Sequence, residues 1–276
     1  MSEAPAIRFT NVTKQYASRA LSHVGAKGLV TRFPEFVKRA KHPVFVALRD
    51  VSFEIKRGEC FAVIGLNGAG KSTTLALIAR VMRPTLGTIE TRGHICPLLE
   101  LGAGFHPDLT GRENILLNGV LLGMTKREVR QKSGMILDFA GLGAFIDEPL
   151  RTYSAGMTAR LGFSVAVHLD PDILLIDEIL AVGDVTFQAK CIDRIGEFRR
   201  RGVTFVIVSH DTQMVRTSCD RAMLLYGGSV HMNDEANKVA DEYLRLVGAA
   251  AVVPQVPGGS RQTEPKPAAE VATLQA

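Results

Sequence analysis

The chain holds 276 residues, 46% of them hydrophobic, which is enough for one large α/β domain or a core with a smaller lobe. Its net charge of +5 suits an anionic partner, whether nucleotide, nucleic acid or lipid headgroup, without choosing among them. No apolar run approaches the ~20 residues that cross a bilayer, and Met1-Ser2-Glu3-Ala4-Pro5 lacks the basic and apolar pattern of a signal peptide.

Ile7 to Tyr16 reads as a strand entering a turn. From Ala17 to His42 the composition shifts: Arg19, Lys27, Arg32, Lys38, Arg39 and Lys41 stand against a single acid, Glu35. Pro34 can open a helix there, with Phe33, Phe36, Val37 and Ala40 on one face. A short basic amphipathic helix of this kind fits anionic headgroups or a partner's helix. The β pattern resumes at Val44, with Val51, Phe53 and Ile55 alternating against polar neighbours. Cys60 to Ile64 is a short apolar run suited to a strand buried on both faces. A Gly-rich loop and a helix follow, and then a strand around Thr88-Ile89-Glu90.

The middle third is mostly helical. Thr110 with Glu113, and Thr125 with Glu128, have the spacing of capping boxes. Ser154 can cap a third helix, along which Met157, Leu161 and Val165 recur at a helical interval. Strands return at Ile173 to Ile176 and Val203 to Val208. The helix between them carries Phe187, Cys191, Ile195 and Phe198 and stops at Arg199-Arg200-Arg201-Gly202. Gly227-Gly228 reads as a hairpin turn, and Ala236, Val239, Ala240 and Tyr243 mark a last helix. Beyond Ala249 an aperiodic Ala, Pro and Gly composition predicts a disordered tail. Strands alternating with helices around a helical block argue for a largely parallel sheet with a helical lobe. Cys60, Cys96, Cys191 and Cys219 form no CxxC pair and are expected as isolated buried thiols.

Three motifs carry chemistry. Gly65-Leu66-Asn67-Gly68-Ala69-Gly70-Lys71-Ser72 fits the P-loop pattern, with a buried strand before it and a helix after it. Its backbone N–H groups and the helix N-terminus favour phosphate. Lys71 would reach the terminal phosphates and Ser72 would hold Mg2+, while Gly65, Asn67, Gly68, Ala69, Gly70 and Thr73 complete the nucleotide contacts. Ile173-Leu174-Leu175-Ile176 ends in Asp177-Glu178, at the strand end where α/β sheets bind ligands. Asp177 would help hold Mg2+ and Glu178 would polarise the attacking water. His210, after the strand Val203 to Val208, is placed to contact the terminal phosphate and that water.

These motifs together resemble the ABC-type ATPase family over about Ile7 to Val247. Tyr153-Ser154-Ala155-Gly156-Met157 corresponds to the family signature, keeping Ser154 and Gly156 as the residues expected to meet phosphate. Ala181-Val182-Gly183-Asp184 resembles the segment that communicates between subunits. Relatives usually carry a Gln in the loop joining the core to the helical lobe. This sequence has no Gln between Gln15 and Gln131, and Glu100 in Leu98-Leu99-Glu100-Leu101-Gly102 is the match, able to serve Mg2+ through water. Tyr16 is the candidate adenine platform, although the basic segment separates it from the P-loop.

The branch it is most similar to is the ATP-binding subunits of bacterial polysaccharide exporters. The resemblance rests on the basic insert before Ala47 to Phe53, on Leu98 to Pro107 followed by Leu109 to Asn114, and on the signature with Asp177 to Asp184. It implies an α/β P-loop NTPase core with a mostly parallel sheet, an N-terminal antiparallel β subdomain and an inserted helical lobe. The ATP-binding domain would span 1–248, with the insert at 17–46, the lobe at about 105–168 and the tail at 249–276. It also implies ATP and Mg2+ as cofactors, a homodimer that binds nucleotide between subunits, and a separate polytopic membrane permease subunit in two copies. No nucleic acid partner is implied, and the insert would touch the membrane surface. The place of action would be the cytoplasmic face of the bacterial inner membrane. The short form, without a glycan-binding C-terminal domain, is the expected type. A different transported substrate, or a soluble ABC ATPase, is the alternative.

Overall fold

The computed structural model describes residues 4–17, 44–98, 102–177 and 183–251. The expected basic helix around Pro34, Glu100, the stretch from Glu178 to Val182 and the tail beyond Ala251 lie outside the described residues.

Two sheets organise these residues. The first is antiparallel, in the order β2-β1-β4: β1 (Ile7–Ala17), β2 (Val44–Ile55) and β4 (Leu86–Thr91). The second has six strands in the order β5-β6-β7-β3-β8-β9. Its members are β3 (Cys60–Gly65), β5 (Ile95–Leu98), β6 (Ile173–Asp177), β7 (Thr204–Val208), β8 (Arg221–Tyr226) and β9 (Ser229–Glu235). All neighbours run parallel except β9, which returns antiparallel through the expected Gly227-Gly228 turn.

The alternation along β3 explains how the layers stack. Cys60, Ala62 and Ile64 join one apolar cluster, while Phe61 and Val63 join the other. The first cluster gathers the helical lobe and the helices α5 (Val185–Arg200) and α7 (Ala236–Ala251). The second joins α1 (Lys71–Ile78) to the antiparallel sheet, where the Phe53 ring stacks on Phe9 and on Phe61. A strand covered on both faces has no polar side to show, which is why β3, β6 and β7 read as unbroken apolar runs.

The lobe contains α2 (Gly111–Leu121), α3 (Lys126–Ala140) and α4 (Ala155–Ala166). Both capping boxes form, Thr110 with Glu113 and Thr125 with Glu128, and their hydrogen bonds hold both glutamates below the usual carboxylate range. Buried Asn114 fixes the loop before α2: its Nδ2 donates to the carbonyls of His106, Leu109 and Thr110, each at 3.0 Å. A final short helix in the core, α6 (Thr212–Ser218), is capped by Asp211.

The expectation of isolated thiols is corrected for one pair. All four cysteines are free and buried, but Cys60 and Cys219 lie with their sulfurs 3.6 Å apart. The cause is the parallel pairing of β3 with β8. Cys60 N donates to Asp220 Oδ2 and Asp220 N donates to Cys60 O, each at 2.8 Å, and this draws the residue before Asp220 alongside. Among the described residues no helix is long and apolar enough to cross a membrane.

Candidate functional site

The site starts from β3. It is central in its sheet, paired with β7 on one side and β8 on the other, so the loop that follows leaves a rigid mount. Gly70 closes that loop as the N-cap of α1, with a φ of 105°. A Cβ there would stand 2.5 Å from Leu48 Cδ2 and 2.7 Å from Ala47 O, so conformation and space both call for glycine. The first turn of α1 holds no acidic residue, which leaves the positive helix end free to attract an anion.

Lys71 folds back over the loop, its Nζ donating to Gly65 O at 2.8 Å and Leu66 O at 3.2 Å. Burial pulls its ammonium below the usual range, opposed by the Asp177 carboxylate. Burial in turn raises Asp177, opposed by Lys71. The two charges share one end of the sheet because Val208 of β7 pairs with Asp177 on one side and Val63 on the other. His210 is exposed just past the end of β7, at the same sheet edge.

Two cavities meet at α1. One, of about 220 Å³, is lined by Asn67, Gly68, Gly70 and Lys71 and is closed by Phe45 and Ala47. The other, of about 470 Å³, is bordered by Tyr16, Met82, Asn118 and Asp177. Ser72 and Thr73 line both. Ser72 and Asp177 together offer a hydroxyl and a carboxylate, the hard oxygen donors that suit Mg2+. Among the described residues no cluster of three or more His, Cys, Asp or Glu could hold a metal by itself. A Mg2+ ion that takes most of its ligands from phosphates and water needs none.

The remaining predicted residues lie on the lobe and beside it. Ser154 caps α4, accepting from Met157 N at 3.2 Å, and Ser154, Ala155 and Gly156 are exposed. A Cβ on Gly156 would meet nothing closer than Ser154 Oγ at 3.8 Å, so the chain's own packing does not require glycine there. Asp184 caps α5, accepting from Phe187 N at 2.9 Å. Its other oxygen takes Arg160 Nη1 at 3.3 Å.

Comparison with known proteins gives the same picture. Residues 48–181 match the family model for the ABC transporter. The chain is 48% identical over 239 residues to the O-antigen export system ATP-binding protein RfbB of Klebsiella pneumoniae, an alignment covering 87% of this chain and 97% of that protein. The chain belongs to the ABC transporter family. To the teichoic acids export ATP-binding protein TagH of Bacillus anthracis this ABC subunit is 39% identical over 237 residues, or 86% of the chain and 42% of that protein. Among solved structures, an ATP-binding subunit of an ABC transporter matches with a TM-score of 0.67 at 22% identity, covering 89% of this chain and 98% of that one. A dimeric bacterial ABC transporter cassette matches at 0.63 and 24%, covering 83% and 98%. Both carry the fold alone.

The structure therefore brings the P-loop, Asp177 and His210 to one edge of the ABC ATPase sheet. Ser154 and Gly156 stand apart on the lobe surface. Two residues escaped the sequence reading. Phe45 lines the P-loop cavity. Arg160 of α4 donates from Nε and Nη2 to Ala140 O at 3.1 and 2.8 Å, lies 4.9 Å from the centre of the Phe187 ring and binds Asp184. It thus joins the signature helix to the start of α5. Its position one turn past Gly156 was the available signal, but the partners are set by tertiary packing.

Proposed function

We propose that this ABC ATPase powers export of a lipid-linked polysaccharide across the inner membrane through a separate membrane subunit. The likeness to an O-antigen export ATP-binding protein along nearly the whole of that protein carries the reading.

In the proposed mechanism Lys71 leaves the Gly65 and Leu66 carbonyls and turns to the terminal phosphates, while the loop amides and the α1 terminus hold the rest of the phosphate chain. Ser72 and Asp177 would hold Mg2+, which when bound neutralises charge on the phosphates. Glu178 orients and polarises the attacking water, and His210 steadies the terminal phosphate. Because Ser154 and Gly156 are exposed and packing within the lobe does not require Gly156 to be glycine, this helix start is available to the nucleotide of a second copy. Two such sites would close a homodimer, and Arg160 would couple the signature helix to Asp184 at that seam. Closure draws the lobes and the attached membrane subunits together. The subunit would sit peripherally on the cytoplasmic face, with the basic insert at 17–46 touching the membrane surface.

Depleting this chain should trap lipid-linked glycan inside the cell. Surface glycan is then expected to fall while total glycan persists, measured by labelling intact against permeabilised cells. Unchanged surface glycan, with another exported substrate lost, would contradict the polysaccharide assignment.

A further inference from the structure

The six-stranded sheet holds, at the end opposite the P-loop, two thiols that the ATPase chemistry leaves unused. Cys60 opens β3, and Cys219 is the C-cap of α6, just before β8. Their sulfurs are 3.6 Å apart, and no other two thiols are in contact among the described residues. The backbone holds them there. Asp220 N donates to Cys60 O and Cys60 N donates to Asp220 Oδ2, so the neighbour of Cys219 is clamped onto Cys60 itself. Cys219 N in turn donates to Val215 O at 3.1 Å, which closes the last turn of α6. Neither sulfur has to search for the other.

Contact between buried thiols is by itself ordinary core packing. The electrostatic setting separates this pair from the other cysteines. The hydrogen bond between the sulfurs, helped by the Arg199 guanidinium, draws Cys60 below the usual thiol range in spite of burial and of the Asp220 and Glu59 carboxylates. Cys219 moves the other way, raised chiefly by the same hydrogen bond and by burial. Burial pushes Cys96 and Cys191 each up to about 12. One poised sulfur with a protonated sulfur against it is the arrangement of an attacking and a resolving thiol. Cys60 is 4% exposed and Cys219 8%, so the oxidant that reaches them must be small.

We propose that Cys60 and Cys219 form a modification site for hydroperoxides, which oxidise the pair to a disulfide joining β3 to the entrance of β8. The Cys60 thiolate attacks one peroxide oxygen. An S–O bond forms, the O–O bond breaks, and the departing oxygen takes up a proton and leaves as water or an alcohol. The Cys219 sulfur then attacks the sulfenic sulfur of Cys60. The S–S bond forms, the S–O bond breaks, and hydroxide leaves with the Cys219 proton as water. The two sulfurs together give up two electrons, and the peroxide takes both. Because the second step is intramolecular, it consumes the sulfenic acid before another peroxide can oxidise it further.

The test exposes the full, reduced chain to a small excess of hydrogen peroxide, quenches it in acid and digests it without reductant. Mass spectrometry should find Cys60 cross-linked to Cys219, two hydrogens lighter than the separate thiol peptides. The cross-link should form about tenfold faster than Cys96 or Cys191 is oxidised, and dithiothreitol should reverse it. In Cys219→Ala the reaction should stop at a sulfenic acid on Cys60, which dimedone traps. In Cys60→Ala the Cys219 thiol should persist at the same dose. In the unaltered chain, thiols at 60 and 219 that persist, or that pass to sulfinic acid without a cross-link, would overturn the proposal. Oxidation of Cys96 or Cys191 no slower than that of the pair would overturn it too. Both of those results are read in the unaltered chain and so do not depend on how well a variant folds.

Discussion

Replacing Glu178 with Gln should leave ATP binding intact and cut turnover by roughly 10²- to 10⁴-fold, the usual contribution of a positioned general base. Gln keeps the size and one acceptor of Glu but cannot draw a proton from water. Glu178 directly follows in sequence Asp177, which ends β6 at the end of the sheet it shares with Lys71. A second consequence separates a catalytic role from a structural one. If hydrolysis releases the closed dimer, the Gln variant should accumulate as an ATP-bound dimer in gel filtration or light scattering, while the unaltered chain does not. Turnover within about twofold of the unaltered chain would reject Glu178 as the residue that activates water.

Lys71→Ala acts at an earlier step. Its Nζ sits on the Gly65 and Leu66 carbonyls, within the P-loop, and burial has already weakened its hold on its proton. A phosphate arriving there supplies a charge-assisted hydrogen bond worth about 1.5–3 kcal/mol. Removing the ammonium should therefore weaken ATP affinity by roughly ten- to a hundredfold and abolish hydrolysis. Fold stability should change little, because the ammonium's own contacts are carbonyls at a loop surface. Nucleotide titration by calorimetry, alongside a thermal melt, checks both. Unaltered affinity would remove Lys71 from the phosphate site.

What could be read from the sequence was whatever is set by neighbours along the chain. The two capping boxes, the Ser154 cap and the run of buried residues in β3 depend on spacings of a few residues, and all formed. β5 is short and carries Pro97, so its local pattern does not mark a strand. Proline is tolerated there since β5 is the edge of the six-stranded sheet and needs a partner only on the β6 side. α6 is short, and its one signal was Asp211 before it. The Cys60–Cys219 contact joins residues far apart in sequence, as does the link from Arg160 to Asp184 and Ala140. Such pairs follow from strand order and helix packing, which local pattern does not encode. Phe45 belongs to the same class: nothing in its immediate sequence marks it as a residue that lines the P-loop cavity.

The central claim is that this ATPase drives a membrane protein. The most direct measurement is to extract the chain from its native membrane in mild detergent and identify its partners by mass spectrometry. A polytopic membrane protein recovered in equal amount is the predicted result. Recovery of soluble or ribosomal partners only would contradict it, leaving the ATPase without a transporter.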